Sequence, residues 1–376
     1  MSKITGRDLG KGSEKIDPWK SIEVKNYEQL MKNFGIEPFG PVLKKLKNPH
    51  LLMKRGIIFG HRGFDLILKA IKKKEDFAMM TGLMPSGKFH FGHMILAQQM
   101  IYYQQLGAKL FICVADIEAY NMRKIPMEKL RETAIEEYLV NYIALGLKPK
   151  NCDFYFQSDR SVPYYRLISM LGRRTTLNEL KDIYGDISPA KIVSVLTQVG
   201  DILHPQLEEY GGPKPVVVPV GIDQDPHIRL TRDIAQRVKN EFKFFLPSAT
   251  YHKLLPGLKG GKMSSSDPFS YISLTDTPEE VKTKIMKYAF SGGGNSIEEH
   301  RKYGGNTDVD VSFQYLRFIF EPDDKKLQKI KEDYESGKML TGELKSIVIE
   351  KIQKFLTEHQ KKREKAKDKV HLFLKE

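Results

Sequence analysis

Four short apolar runs govern what this chain can become. They are "FAMMTGL" from Phe77, "KLFICVAD" from Lys109, "DFYFQS" from Asp153 and "KPVVVPVG" from Lys214. Each is closed by Gly, Pro or a charged or polar residue and reads as a strand buried on both faces. Amphipathic segments separate them, such as "MEKLRETAIEEYLVNYIALG" between the second and third. Buried strands alternating with helices imply right-handed crossovers and a parallel sheet covered on both sides. The expected fold class is therefore α/β, a Rossmann-type parallel sheet.

The pattern changes at both ends. Residues 1–75 hold a polar leader, short helical stretches such as "NYEQLMKNFG", and "RGIIFGHRGFDLILKAI"; they are expected as an N-terminal extension. Strand signals stop near Thr277, where "PEEVKTKIMKYAF" opens a helical C-terminal third. The expected organisation is 1–75, a catalytic domain over 76–276, and a helical domain over 277–376. From Lys351 to Glu376 there are nine Lys or Arg against four Asp or Glu, while Ile352, Phe355, Leu356 and His359 keep roughly helical spacing. Such a helix has one apolar face and one basic face.

Composition narrows the partners. Lys and Arg outnumber Asp and Glu by 61 to 47, giving a formal charge of +14. That excess favours a polyanion, because each phosphate contact releases counterions. With Cys113 and Cys152 alone, neither a disulfide framework nor a cysteine-rich zinc site is expected. No apolar run reaches the roughly 18–20 residues that cross a bilayer, and the N-terminus lacks a signal-peptide core. A cytoplasmic location without membrane attachment is the expectation.

In sheets of this kind ligands bind beyond the carboxyl ends of strands, where the first turn meets a helix. That turn is Pro85-Ser86-Gly87, followed by His90-Phe91-Gly92-His93 at the start of a helix. Gly92 lets a flat ring or a phosphate chain approach, and the helix end with two imidazoles offers donors to anionic oxygens. Far downstream, Lys262-Met263-Ser264-Ser265-Ser266 follows the glycine-rich "PGLKGG" and reads as a mobile loop. A lysine followed by hydroxyls suits closure over phosphates, neutralising charge that builds on a pyrophosphate leaving group.

Together the two segments resemble the signatures of class I aminoacyl-tRNA synthetases. "PSGKFHFGH" is similar to the HIGH motif, with Phe91 in place of Ile. "KMSSS" is similar to KMSKS, with Ser265 where a second lysine often stands. Further stretches, among them "GHRGFD", "VPVGIDQDPHIRLTRDIAQR", "AFSGGGNSIEEHRKYGG" and "GKMLTGELKSIVIEKIQKF", resemble the archaeal and eukaryotic tryptophanyl branch over roughly residues 50–376.

The resemblance implies a Rossmann catalytic domain, a helical anticodon-binding domain, a homodimer, and ATP with Mg2+ carried mainly by the nucleotide rather than by a protein metal site. It implies that Pro85, Ser86, Gly87, His90, Gly92 and His93 cradle the nucleotide. Gly221, Asp223 and Gln224 of "GIDQ" would contact nucleotide and amino acid, and Lys262, Met263, Ser264, Ser265 and Ser266 the phosphates. His90, His93, Lys262, Ser264 and Ser265 are the expected catalytic groups. Met80, Glu118, Gln198, Asp201 and Gln224 are the expected contacts to L-tryptophan, with tRNA(Trp) as the second substrate.

Tyrosyl enzymes share this architecture, so the pocket must discriminate. The tyrosyl branch expects a tyrosine at the position of Met80, to bond the substrate phenol; a thioether suits an aromatic face instead. Relatives in the eukaryotic-type tryptophanyl branch offer a tyrosine and a glutamine to the indole N–H, where this chain has Met80 and Cys113. Leu83 stands where that branch has an arginine. Asp201 matches an aspartate of the bacterial enzymes that accepts the indole N–H, which makes it the expected acceptor here. Tyrosyl enzymes carry an aspartate there too, so Met80, the "GIDQ" segment and the C-terminal resemblance decide for tryptophan. The implied reaction is that of a tryptophan–tRNA ligase, with tyrosine–tRNA ligase as the alternative.

Overall fold

The computed structural model describes residues 27–264 and 267–374. Seven strands form one sheet: β1 (Glu37–Pro38), β2 (Ile58–Arg62), β3 (Ala78–Leu83), β4 (Lys109–Val114), β5 (Cys152–Phe156), β6 (Val216–Gly221) and β7 (Ser248–His252). Their order is β1-β2-β7-β6-β3-β4-β5. The four apolar runs became β3 to β6, and with β7 they form a parallel core. The sheet is mixed rather than wholly parallel, because β1 and β2 add antiparallel to β7. It therefore begins within the stretch expected as an N-terminal extension. Arg62 on β2 fixes that stretch. Its guanidinium is paired bidentately with the buried Asp225, at 2.8 and 3.0 Å, and donates to the carbonyls of Phe34 and Gly35 at the end of the helix Tyr27–Phe34.

Alternation along the strands sorts the core. Met79, Leu83, Leu110, Ile112 and Val114 face one side, and Ala78, Met80, Phe111 and Cys113 the other. The first side is also where the C-terminal helices pack. Val311, Phe313, Leu344, Val348, Ile352 and Leu356 belong to the same hydrophobic cluster as Met79 and Leu83. The helical third thus shares one core with the sheet. Its long helix, Thr341–Lys367, lies against Val140–Leu145. That neighbour continues a π-helical segment, Ala134–Leu139.

One detail of register opens the site. β3 pairs with β4 over its whole length, from Ala78 opposite Lys109 to Leu83 opposite Val114. With β6 it pairs only at Ala78–Val216 and Met79–Val217. Beyond those residues β3 and β6 part, and Pro219 of β6 has no N–H to offer a neighbouring strand. β4 and β6 lie on opposite sides of β3, so the split falls where the sheet's direction of winding reverses.

Candidate active site

A cavity of about 410 Å3 occupies the split. Met80 and Cys113 line its floor with Asp201, and Glu118, Gln198 and Gln224 stand around it. A second cavity of about 610 Å3 adjoins it, lined by Ser86, His90, Met263 and Ser264. Gly92, His93, Arg123, His252, Leu254 and Lys262 line both. The two signature segments, distant in sequence, therefore meet at one place. Of the expected turn residues Ser86 reaches the cavity wall; Pro85 and Gly87 flank it without lining either space.

His90 is the N-cap of the helix Phe91–Gln105. Its Nδ1 accepts the Gly92 N–H at 3.1 Å, while its own N–H donates to His93 Nδ1 at 3.2 Å. Each Nδ1 is an acceptor, so each ring carries its proton on Nε2 and keeps one donor there. The rings stack with centroids 3.9 Å apart. Burial pushes His90 down to about 4 and His93 well below the usual histidine range, with the neighbouring His90 adding to the shift. Two stacked imidazoliums would repel, and both rings are neutral near pH 7. Gly92 has a tighter reason to be glycine than ligand approach alone. A Cβ there would lie 2.9 Å from His90 Cε1 and 3.3 Å from Met263 Sδ.

The downstream loop is anchored from below. The Met263 side chain is buried against Gly92, and the Ser264 N–H donates to Ser270 Oγ at 3.0 Å. Lys262 stays 42% exposed at the cavity mouth, its Nζ 3.7 Å from Asp223 Oδ2. Ser265 and Ser266 lie outside the described residues. A Cβ at Gly221 would meet Asp223 Oδ1 at 2.5 Å and so displace this carboxylate from its place beside Lys262.

Asp201 sits at the other end of the pocket, buried on the helix Pro189–Leu203. Its Oδ1 accepts from Tyr155 and Tyr164 hydroxyls, both at 2.8 Å, and from the Cys113 thiol at 3.4 Å. Its Oδ2 accepts from Gln157 Nε2 at 2.7 Å. Burial raises its pKa, and these neutral donors pull the other way. Gln157 also accepts the Glu118 N–H at 3.4 Å, which ties the two expected substrate contacts together. Gln198 donates to Gln224 at 3.3 Å. Among the described residues no group of three or more His, Cys, Asp or Glu could hold a metal ion.

Comparison with known proteins settles the family. The family model for class I tRNA synthetases (W and Y) matches residues 72–357. The chain belongs to this family. Among curated relatives, the tryptophan–tRNA ligase of Aeropyrum pernix is 49% identical, over 94% of this chain and 96% of that protein. That of Methanocaldococcus jannaschii is 45% identical, again over 94% and 96%. The crystal structure of the A. pernix tryptophanyl-tRNA synthetase superposes with a TM-score of 0.90 at 48% identity, covering 96% and 99% of the two chains. That of Plasmodium falciparum gives 0.81 at 33% identity, over 93% and 95%.

For this W and Y synthetase, sequence reading missed part of the pocket. Tyr155, Gln157 and Tyr164 surround Asp201, while His227 and His252 line the cavity walls. Gln157 could have been found, since it follows the carboxyl end of β5 directly. Tyr164 could not, since nothing local marks it.

Proposed function

We propose that the chain is a tryptophan–tRNA ligase, and the observation that carries this reading is the pocket floor. Met80 and Cys113 offer an aromatic ring apolar, polarizable contact, and Asp201 offers one charged acceptor. Oδ1 already takes three donors, so Oδ2, with one, has acceptor capacity left. A flat apolar ring with a single N–H fits that floor. A phenol gains no hydrogen bond of use from Met80, whose thioether has no proton to donate and accepts only weakly. Full-length similarity to archaeal ligases for tryptophan supports the same choice.

In this reading Glu118, Gln198 and Gln224 face the amino acid's polar end. His90 and His93 donate from Nε2 to phosphate oxygens, and the turn at Ser86 with Gly92, Gly221 and Asp223 shapes the nucleotide's bed. A carboxylate oxygen of tryptophan attacks the α-phosphorus of ATP. The bond from the α-phosphorus to the bridging oxygen breaks, and pyrophosphate leaves with the electron pair. Lys262 neutralises charge that grows on that leaving group, with the hydroxyls of Ser264, Ser265 and Ser266, the residues of the same sequence motif, as further donors. A ribose hydroxyl of the 3′-terminal adenosine of tRNA(Trp) then attacks the carbonyl carbon of the adenylate. The bond from that carbon to the phosphate oxygen breaks, AMP leaves with the electron pair, and the hydroxyl proton passes to the departing phosphate or to water. No protein nucleophile is needed, so positioning and charge stabilisation carry the rate. Mg2+ would be carried by the nucleotide, where it would offset phosphate charge.

A homodimer working in the cytoplasm completes the proposal. No helix of the described residues is long and apolar enough to cross a membrane. Light scattering at twice the 43.2 kDa chain mass would support the dimer. The function is tested by ATP–pyrophosphate exchange with each amino acid in turn. Tryptophan alone should drive it; equal stimulation by tyrosine would return the assignment to tyrosine–tRNA ligase.

A further inference from the structure

The peptide that introduces His90 is held from two sides by groups that the C-terminal helix itself holds. On one side, Phe89 N–H donates to Glu137 Oε2 at 3.3 Å, and Lys88 Nζ lies 3.1 Å from Glu137 Oε1. Glu137 stands in the π-helical segment Ala134–Leu139, a helix form that recurs at functional sites. Arg363 of the long C-terminal helix donates to the Glu136 carbonyl at 2.7 Å and places its guanidinium 3.9 Å from Glu137 Oε1. One turn earlier, the buried His359 Nε2 lies 2.8 Å from Asn141 Oδ1, and Asn141 in turn donates to the Glu137 carbonyl. On the other side, the Phe89 carbonyl accepts the Leu274 N–H at 3.0 Å, and Gln360 donates to the Leu274 and Asp276 carbonyls.

We propose that Glu137 is a positioning residue for amino-acid activation. Through it, His359 and Arg363 of the C-terminal helix set where His90 and His93 present their donors. The proposal rests on the reading of those two histidines as phosphate contacts. Glu137 touches neither nucleotide nor amino acid; it acts by fixing Phe89 and Lys88. Its carboxylate is one-sixth exposed and joins two cations to a backbone N–H, an arrangement that fixes direction as well as distance. Small displacements of positioning groups are costly, up to about a hundredfold in rate for roughly 1 Å.

The test measures tryptophan-dependent exchange per folded molecule, with melting temperature followed alongside. Glu137→Ala should lower kcat about tenfold while KM for tryptophan stays within about twofold. Glu137→Gln keeps an acceptor for Phe89 but loses the charge, so it should fall in between, and it decides the matter should the alanine variant not fold. Glu137→Asp should restore part of the loss. Arg363→Met combined with Glu137→Gln should lose less than the product of the two single losses, because one acts through the other. Lys354→Gln, exposed on the same helix, should turn over normally. Normal kcat in both Glu137→Ala and Glu137→Gln, with His93→Ala slowed, overturns the proposal alone. Fully multiplicative losses overturn it as well. Normal kcat in His93→Ala overturns the underlying site assignment, and the proposal with it.

Discussion

Lys262 and Asp223 face each other across the cavity mouth, ammonium to carboxylate, at 3.7 Å. The pair joins the loop that holds Lys262 to the "GIDQ" turn, and the lysine is partly exposed. Lys262→Ala should slow exchange by on the order of a hundredfold, since it removes a charge aimed at the leaving group. KM for tryptophan should barely move, because Lys262 is not among the proposed tryptophan contacts. Steady-state exchange kinetics decide it, and a normal kcat would reduce the loop to a structural role.

Asp201→Ala removes the acceptor of two phenols, an amide and a thiol at once. Unpaired buried donors cost about 1–3 kcal/mol each, so the melting temperature should fall by several degrees. The kcat/KM for tryptophan should fall by roughly 10- to 150-fold, the worth of a hydrogen bond to a charged acceptor. An analogue with sulfur in place of the indole N–H should lose much less. Equal losses for both substrates would leave Asp201 a structural residue. Asp201→Asn is the informative companion, since its amide keeps an acceptor oxygen for the phenols.

What was legible in the sequence follows from where the partners lie. β3 to β6 announce themselves because they are apolar throughout. β2 and β7 do not: Gly60, His61 and Arg62, or Ser248, Thr250 and His252, break the apolar run. Their polar groups are satisfied by distant residues, as in Arg62 with Asp225 and His252 with Gln99. The signature residues were legible because the turn and the loop each carry a local pattern. The donors around Asp201 come from β4, β5, the residue after β5 and a separate helix, so no local pattern could gather them. Arg363 was a different case. It belongs to the basic run from Lys351 to Glu376, yet Ile352, Leu356 and His359 mark a buried face, and the next step of four is Arg363.

That placement changes the expectation for RNA binding. Arg363 packs against Glu136 and Glu137, while Lys361, Lys362 and Lys365 are exposed. Replacing these three lysines with glutamine should weaken tRNA binding and flatten its salt dependence, each lost phosphate contact lowering the log–log slope by about 0.7–0.9. Exchange without tRNA should be unaffected. Binding titrations across a salt series read the slope directly, and an unchanged slope would move the tRNA to another face.

Acid should unfold this protein through its histidines. Burial lowers His90 and His252 to about 4, His204 and His227 to about 3, and His93 well below the ordinary 6.5. Between about pH 6.5 and about 4 the unfolded chain binds more protons than the folded one, so stability is lost as pH falls through that window. His50, His61 and His359 are lowered by burial too, making eight histidines among the described residues. Asp201, Asp233 and Asp276, raised by burial, work the opposite way but are only three. The urea midpoint should fall steadily across the window; a flat profile would contradict the buried neutral rings.

β2 has a consequence for any shortened form of the chain. Its antiparallel ladder from Ile58 to Arg62 occupies the outer hydrogen-bonding groups of β7, the strand that delivers His252 to both cavities. Were residues up to Arg62 removed, β7 would become an open template beside an apolar sheet, ready to recruit a strand from another molecule. Within the N-terminal stretch, β2 therefore covers the edge that β7 would otherwise present. Solubility should be lost between a chain trimmed before Ile36 and one trimmed after Arg62, with the signature residues intact in both.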